Sequence, residues 1–259
     1  MESMGDRISK AGIAVLVLAV LVFGWIAYEL SRWPGTPPEP ASATTSSTSE
    51  DAASGDTGGA KASKEPSPSA TPTGPPLRVA LLSDGLAISE GSWFQRSIGQ
   101  RTVDGLVPGV TASLAGATAA ALEPRAAQAA NADVLVVTAG TVDLLSGVSP
   151  QTVAASVQSL LQTADDLGGK GGPVVVWVPT PPISTQAANV EAVNDAVRTF
   201  VTDNDLVEWD LTTPVSTPTG AWKPALTVDG IAANEAGQQA QAEAARRAAA
   251  ETLPELQAR

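Results

Sequence analysis

The stretch VALLSDGLA, residues 79–87, decides how the rest of the chain is read. Its first half is an unbroken apolar run, and its second half is a run of turn formers. A strand buried on both faces reads this way, because neither side of its pleat meets water. Two further runs share the form. ADVLVVTAG spans residues 132–140 and GPVVVWVPT spans residues 172–180, and both end in turn residues. GVTASL (109–114) and LVEWDL (206–211) are weaker strand candidates. Helical patterns lie between them, near 92–99, 117–130, 150–168, 188–204 and 233–251. In the third, Val153, Val157, Leu160, Leu161 and Ala164 recur at helical spacing; in the fourth, Val190, Val193, Val197 and Val201 do so. Alternating strands and helices predict an α/β three-layer sandwich around a parallel sheet with right-handed crossovers. The working crevice of such a sheet lies beyond the carboxyl ends of its strands.

Composition narrows the chemistry. The 259-residue chain has no Cys and no His, and its formal net charge is −12. Without His it lacks the commonest general base and the commonest metal ligand. Ser-His and Cys-His catalytic pairs and His-Cys zinc sites are therefore excluded. The acidic balance repels phosphate backbones, so no nucleic-acid partner is expected. No motif calls for a cofactor or a metal. GGKGG (168–172) lacks the spacing and the following Ser or Thr of a phosphate loop, and reads as a turn before a strand.

Residues before 78 read differently. AGIAVLVLAVLVFGWIAYEL, residues 11–30, has one charged residue, Glu29. About 20 residues at a rise of ~1.5 Å span the ~30 Å core of a bilayer. Trp25, Tyr28 and Trp33 sit at interfacial positions; Arg7 and Lys10 precede the segment and Arg32 follows it. These features predict a cytoplasmic N-terminus (1–10), a transmembrane signal-anchor (11–31) and single-pass placement in the cell membrane. A cleaved signal peptide is the rival reading, but no small-x-small site directly follows the apolar core. Residues 32–77 are rich in Pro, Ser, Thr, Ala and Gly and are expected to form a disordered linker. A coil of about 43 residues averages roughly 35–40 Å end to end. An extracytoplasmic domain would then occupy 78–259.

Four strand-end segments carry a resemblance. SDGL (83–86) follows the first strand, SLAGAT (113–118) the second, and GTVD (140–143) the third; VDGIAANEAGQ (228–238) precedes the last helix. Their order and spacing resemble the SGNH/GDSL hydrolases, a flavodoxin-like family of esterases, lipases and carbohydrate acetyl-transferases or deacetylases. The resemblance extends over 78–259. It implies a nucleophilic serine in the first block, oxyanion donors in the second and third, and an Asp-x-x-His pair in the last.

This sequence departs from that pattern where the reactive atoms should be. Gly85 stands at the serine position and Val142 at the oxyanion asparagine. Ala232 stands at the histidine. Gly116, Gly140, Asp84, Asp143 and Asp229 persist, with Ser83 at the head of the first block. A serine hydroxyl without a base is a poor nucleophile, and loss of either member of such a pair costs on the order of 10⁶ in rate. The resemblance thus implies a degenerate crevice, and no catalytic residues are expected. Backbone N–H groups at Gly85 and Gly116 would remain free to hold a carbonyl or carboxylate. Asp84 and Asp143 are expected to tie loops through backbone N–H groups, and Asp229 to do the same before the last helix. By analogy with the family, the expected role is a binding, scaffolding or regulatory module of the bacterial cell envelope, with an envelope protein or a glycan or acyl ligand as partner. The alternatives are an unconventional esterase or acyltransferase using Ser83 or Ser89 with help from an Asp or Lys223, and a structural spacer.

Overall fold

A computed structural model describes residues 74–167 and 171–259. The expected cytoplasmic segment, membrane anchor and most of the linker lie outside the described residues. Within them, no helix is long and apolar enough to cross a membrane.

Five parallel strands form one sheet: β1 (Leu77–Ser83), β2 (Leu106–Thr111), β3 (Val134–Thr138), β4 (Val174–Trp177) and β5 (Val207–Glu208). Their spatial order is β2-β1-β3-β4-β5, the flavodoxin-like arrangement, with its topological switch between β1 and β3. The helices are α1 (Ala119–Leu122), α2 (Thr141–Leu145), α3 (Pro150–Asp166), α4 (Ala187–Asp203) and α5 (Glu235–Ala258). A π-helical turn, Gln95–Gly99, lies between β1 and β2.

The apolar runs are buried on both faces, as their lack of alternation requires. Ala80, Leu82, Leu135, Val137, Val175 and Trp177 face α3 and α4, whose apolar stripes are those predicted from spacing. Val79, Leu81, Val134, Val136 and Val176 face the other way. There they meet Trp93, Phe94, Ile98 and the α5 residues Ala242, Ala245, Ala249 and Leu253. The small alanine side chains let α5 lie close to the sheet.

Two strands differ from expectation. β2 forms at Leu106–Thr111 instead of 109–114, and most of it is exposed. It is an edge strand containing Pro108 and Gly109, and its register shifts between Val79 and Leu81 of β1. Its one-sided pairing leaves no double burial to read in the sequence, and Pro is tolerated only at such an edge. At the other edge β5 pairs through two residues only, although the Trp209 N–H still donates to the Trp177 carbonyl (2.9 Å). The last helix outruns its predicted end at 251 and continues through Pro254.

The approach to α5 is tightly built. Asn234 caps the helix, its Oδ1 accepting the Gly237 N–H at 3.0 Å, while its Nδ2 donates to the Ala225 carbonyl at 2.9 Å. A β-carbon at Gly237 would collide with the Leu226 carbonyl oxygen, so only glycine lets the preceding loop lie against the first helical turn.

Candidate functional site

The degenerate blocks converge at the carboxyl ends of β1 and β3. Asp84 is buried after β1, and its Oδ2 accepts the Thr141 N–H at 3.1 Å. The Asp84 carbonyl accepts the Gly116 N–H at 2.9 Å. Asp143, also buried, accepts the Ala119 N–H at 2.9 Å. The first three blocks are thus tied by carboxylate and backbone bonds, as expected for Asp84 and Asp143. Gly140 precedes α2, and Val142 is half-buried within that helix. Asp229 is exposed; its Oδ1 accepts the N–H groups of Ile231 (2.9 Å) and Ala232 (2.8 Å). Those two bonds hold its carboxyl below the usual carboxylate range.

One expectation fails. The N–H groups of Gly85 and Gly116 are not free to receive an oxyanion. Gly85 donates to Ser83 Oγ at 3.2 Å, and Gly116 donates to the Asp84 carbonyl. Both donors are thus engaged within the loops themselves. Ser83 is fully buried, so it cannot meet a substrate. Lys223 donates from Nζ to the Pro214 carbonyl at 2.7 Å and does not line the crevice.

Gly85 is locked as glycine. Its φ is +124°, and an added β-carbon would lie 2.8 Å from the Ala115 Cα. The obstruction is backbone, so a side chain here would require the loops to move.

A cavity of about 290 Å³ lies against two of the degenerate positions, Gly85 and Ala232. Of the expected site residues, Asp84, Gly85 and Ala232 line it; Ser83, Gly116, Gly140, Val142, Asp143 and Asp229 do not. Pro179 and Pro181 of the loop after β4 form part of its rim. Among the lining residues not anticipated as site residues, four shape its character. Trp93 and Trp222 wall the cavity, and Gln238 and Gln241 enter it from the start of α5. Two glutamines three apart near the start of a helix that packs by alanines were the only sequence signal of this pair. The Trp residues carried none, since nothing local shows that residues more than a hundred positions apart meet.

Asp84 is the one ionisable residue among those lining the cavity. Burial pushes its carboxyl up to about 6, against the opposing pull of N–H groups from Thr141, Val142 and Leu86. Among the described residues, no group of three or more His, Cys, Asp or Glu is placed to hold a metal ion.

The family model for GDSL-like lipases and acylhydrolases matches residues 79–240, and the chain belongs to that family. Solved structures share its fold. An acylhydrolase-type protein from Bacteroides fragilis is 17% identical, with a TM-score of 0.56 over 70% of this chain and 91% of its own. An aryl esterase from M. smegmatis is 17% identical, with a TM-score of 0.54 over 70% and 99%. A carbohydrate acetylesterase from Sinorhizobium meliloti is 14% identical, with a TM-score of 0.55 over 70% and 99%. At these identities the likeness is one of fold. No curated protein matches the sequence.

Restoring the residue names of the family should not restore its chemistry. The double variant Gly85→Ser, Ala232→His is expected to show no ester hydrolysis above background. Gly85→Ser alone is expected to lose about 1–3 kcal/mol of stability in urea unfolding, from the strain at positive φ together with the Ala115 clash. Burst kinetics in the double variant, or an undiminished urea midpoint in the single one, would show that the loop adapts.

The Asp84 carboxyl ionises less readily in the folded chain than in the unfolded one. Between pH 4 and pH 6 the native state therefore binds the extra proton, and stability falls as pH rises through that window. The full effect is worth roughly 3 kcal/mol. Thermal melts across pH 4–8 should show this fall, and Asp84→Asn should remove it. An identical pH profile in the variant would refute the assignment.

Proposed function

We propose that this member of the family is a non-catalytic binding module, displayed outside a bacterial membrane by residues 11–31 and the Pro- and Ser-rich segment 32–77. The observation that carries the non-catalytic reading is the fate of the first block. Gly85 stands in the nucleophile position, its backbone N–H donates to Ser83, and its geometry forbids a side chain. With no histidine in the chain, a hydroxyl entering the cavity has no ordinary base. What survives is a half-open, mainly apolar cavity with a few polar groups, a form small-ligand sites take. The relatives' names point to acyl and carbohydrate esters as the chemistry from which such a site would descend. A glycan or acyl group of the envelope is accordingly the ligand class proposed.

One observation favours the competing esterase reading: Ser89 and Asp84 line the same cavity. Purified full-length protein incubated with p-nitrophenyl acetate separates the two. The expected result is no turnover above buffer and no labelling by a fluorophosphonate probe; turnover abolished by Ser89→Ala would establish the enzyme instead.

The proposed topology has its own test. Protease added to intact spheroplasts should digest the C-terminal domain while leaving a cytoplasmic marker untouched. Protection of the domain would place it on the other side of the membrane.

A further inference from the structure

A buried hydroxyl is left over beside the clamp at the switch point. Thr141 is 1% exposed, and its Oγ1 has no hydrogen-bond partner among the described residues. Its backbone N–H is engaged, donating to Asp84 Oδ2 at 3.1 Å. The hydroxyl faces the same carboxyl. Were it donating to the carboxylate it would help to hold that group in its charged form, but its geometry makes no such bond. A buried polar atom without a partner is costly, and a second state in which it is paired removes that cost.

Asp84 can supply that state. Ionised, its carboxyl only accepts; protonated, it has one O–H to give. No cation around it favours the charged form. On α2 the ionisable residue is Asp143, whose carboxylate accepts the Ala119 N–H. The segments after β2 (112–118) and after β4 (178–183) contain no ionisable residue, and the one after β1 adds only Glu90, which is exposed. Before α5, the exposed Asp229 is held by its own loop; at the start of α5, Glu235 pairs with Arg96 at 3.6 Å. Gln238 and Gln241, which α5 presents to the cavity, are neutral. Burial is thus uncompensated, and the carboxyl is pushed up to about 6, within reach of mild acid.

We propose that Asp84 and Thr141 form a proton-operated latch beside the crevice. Above the transition the carboxylate holds the Thr141 N–H, and the hydroxyl stands unused. Below it, a proton from solvent joins the Asp84 carboxyl, and the new O–H donates to Thr141 Oγ1. The end of β1 and the start of α2 are then tied through both the N–H and the hydroxyl of Thr141, and through the N–H alone at higher pH. Asp84 and Gly85 line the cavity, so the loop that bounds it is held more firmly in acid. The sign agrees with linkage: a proton bound more tightly by the native state stabilises that state at low pH. The device does not depend on whether the crevice turns over a substrate.

The test is an NMR titration of full-length protein from acid to neutral pH. It follows the Asp84 carboxyl carbon, the Thr141 side chain and the indole N–H groups of Trp93 and Trp222, which wall the cavity. All are expected to move with one midpoint, near the value of about 6 set by burial of Asp84. A Thr141 side chain indifferent to the Asp84 transition would overturn the latch, and indifferent indoles would overturn its link to the crevice; neither comparison needs a variant. In Thr141→Val the added methyl cannot accept, so the midpoint should fall by about half to one pH unit, the worth of one hydrogen bond. Thr141→Ser keeps the hydroxyl and should hold the midpoint near that of the wild type. A midpoint that rises in Thr141→Val would make the hydroxyl a donor to the carboxylate and sink the proposal, as would one that does not move.

Discussion

Asp84 joins the parts of the molecule that matter. Its carboxylate receives the Thr141 N–H from the loop after β3, and its carbonyl receives the Gly116 N–H from the loop after β2. Three strand ends that would otherwise splay apart at the switch point are thereby clamped together. The bond carries a cost, since the carboxyl is buried and pushed up to about 6. Asp143 repeats the device at Ala119. These carboxylates persist where the reactive residues do not because they serve the fold itself.

The departures at the motif positions also shape the loops around them. Gly85 took up a positive φ, and its N–H folded back onto Ser83. Serine could no longer be reinstalled there without displacing Ala115. Ala232 lines the same space. The cavity is walled by two tryptophans and entered by two carboxamides. Binding needs only complementary surface and satisfied polar groups, whereas acyl transfer needs a nucleophile and a base in register.

The sheet itself was legible in the sequence wherever burial was two-sided. Residues 79–83, 134–138 and 174–177 are apolar without alternation because helices cover both faces, and that is a local signature. Both edge strands were misjudged for the complementary reason. β2 carries Pro108 and Gly109 and is exposed along most of its length, so its position is set by pairing with β1 and not by its own hydrophobicity. The loss of Ser, Asn and His from the motif positions was equally plain, as was the loop-tying role of Asp84, Asp143 and Asp229.

By itself, then, the sequence determined the alternation of strands and helices, the family pattern, and the absence of a histidine base. Each of these is encoded in neighbouring residues or in composition. The tertiary structure alone decided where the two edge strands pair, that the N–H groups of Gly85 and Gly116 are already engaged, and which side chains line the cavity. Trp93 meets Gln238 across 145 positions, and no periodicity records such a meeting. Contacts of that kind arise from how the layers pack. A crevice built of them can be seen only when the chain is folded.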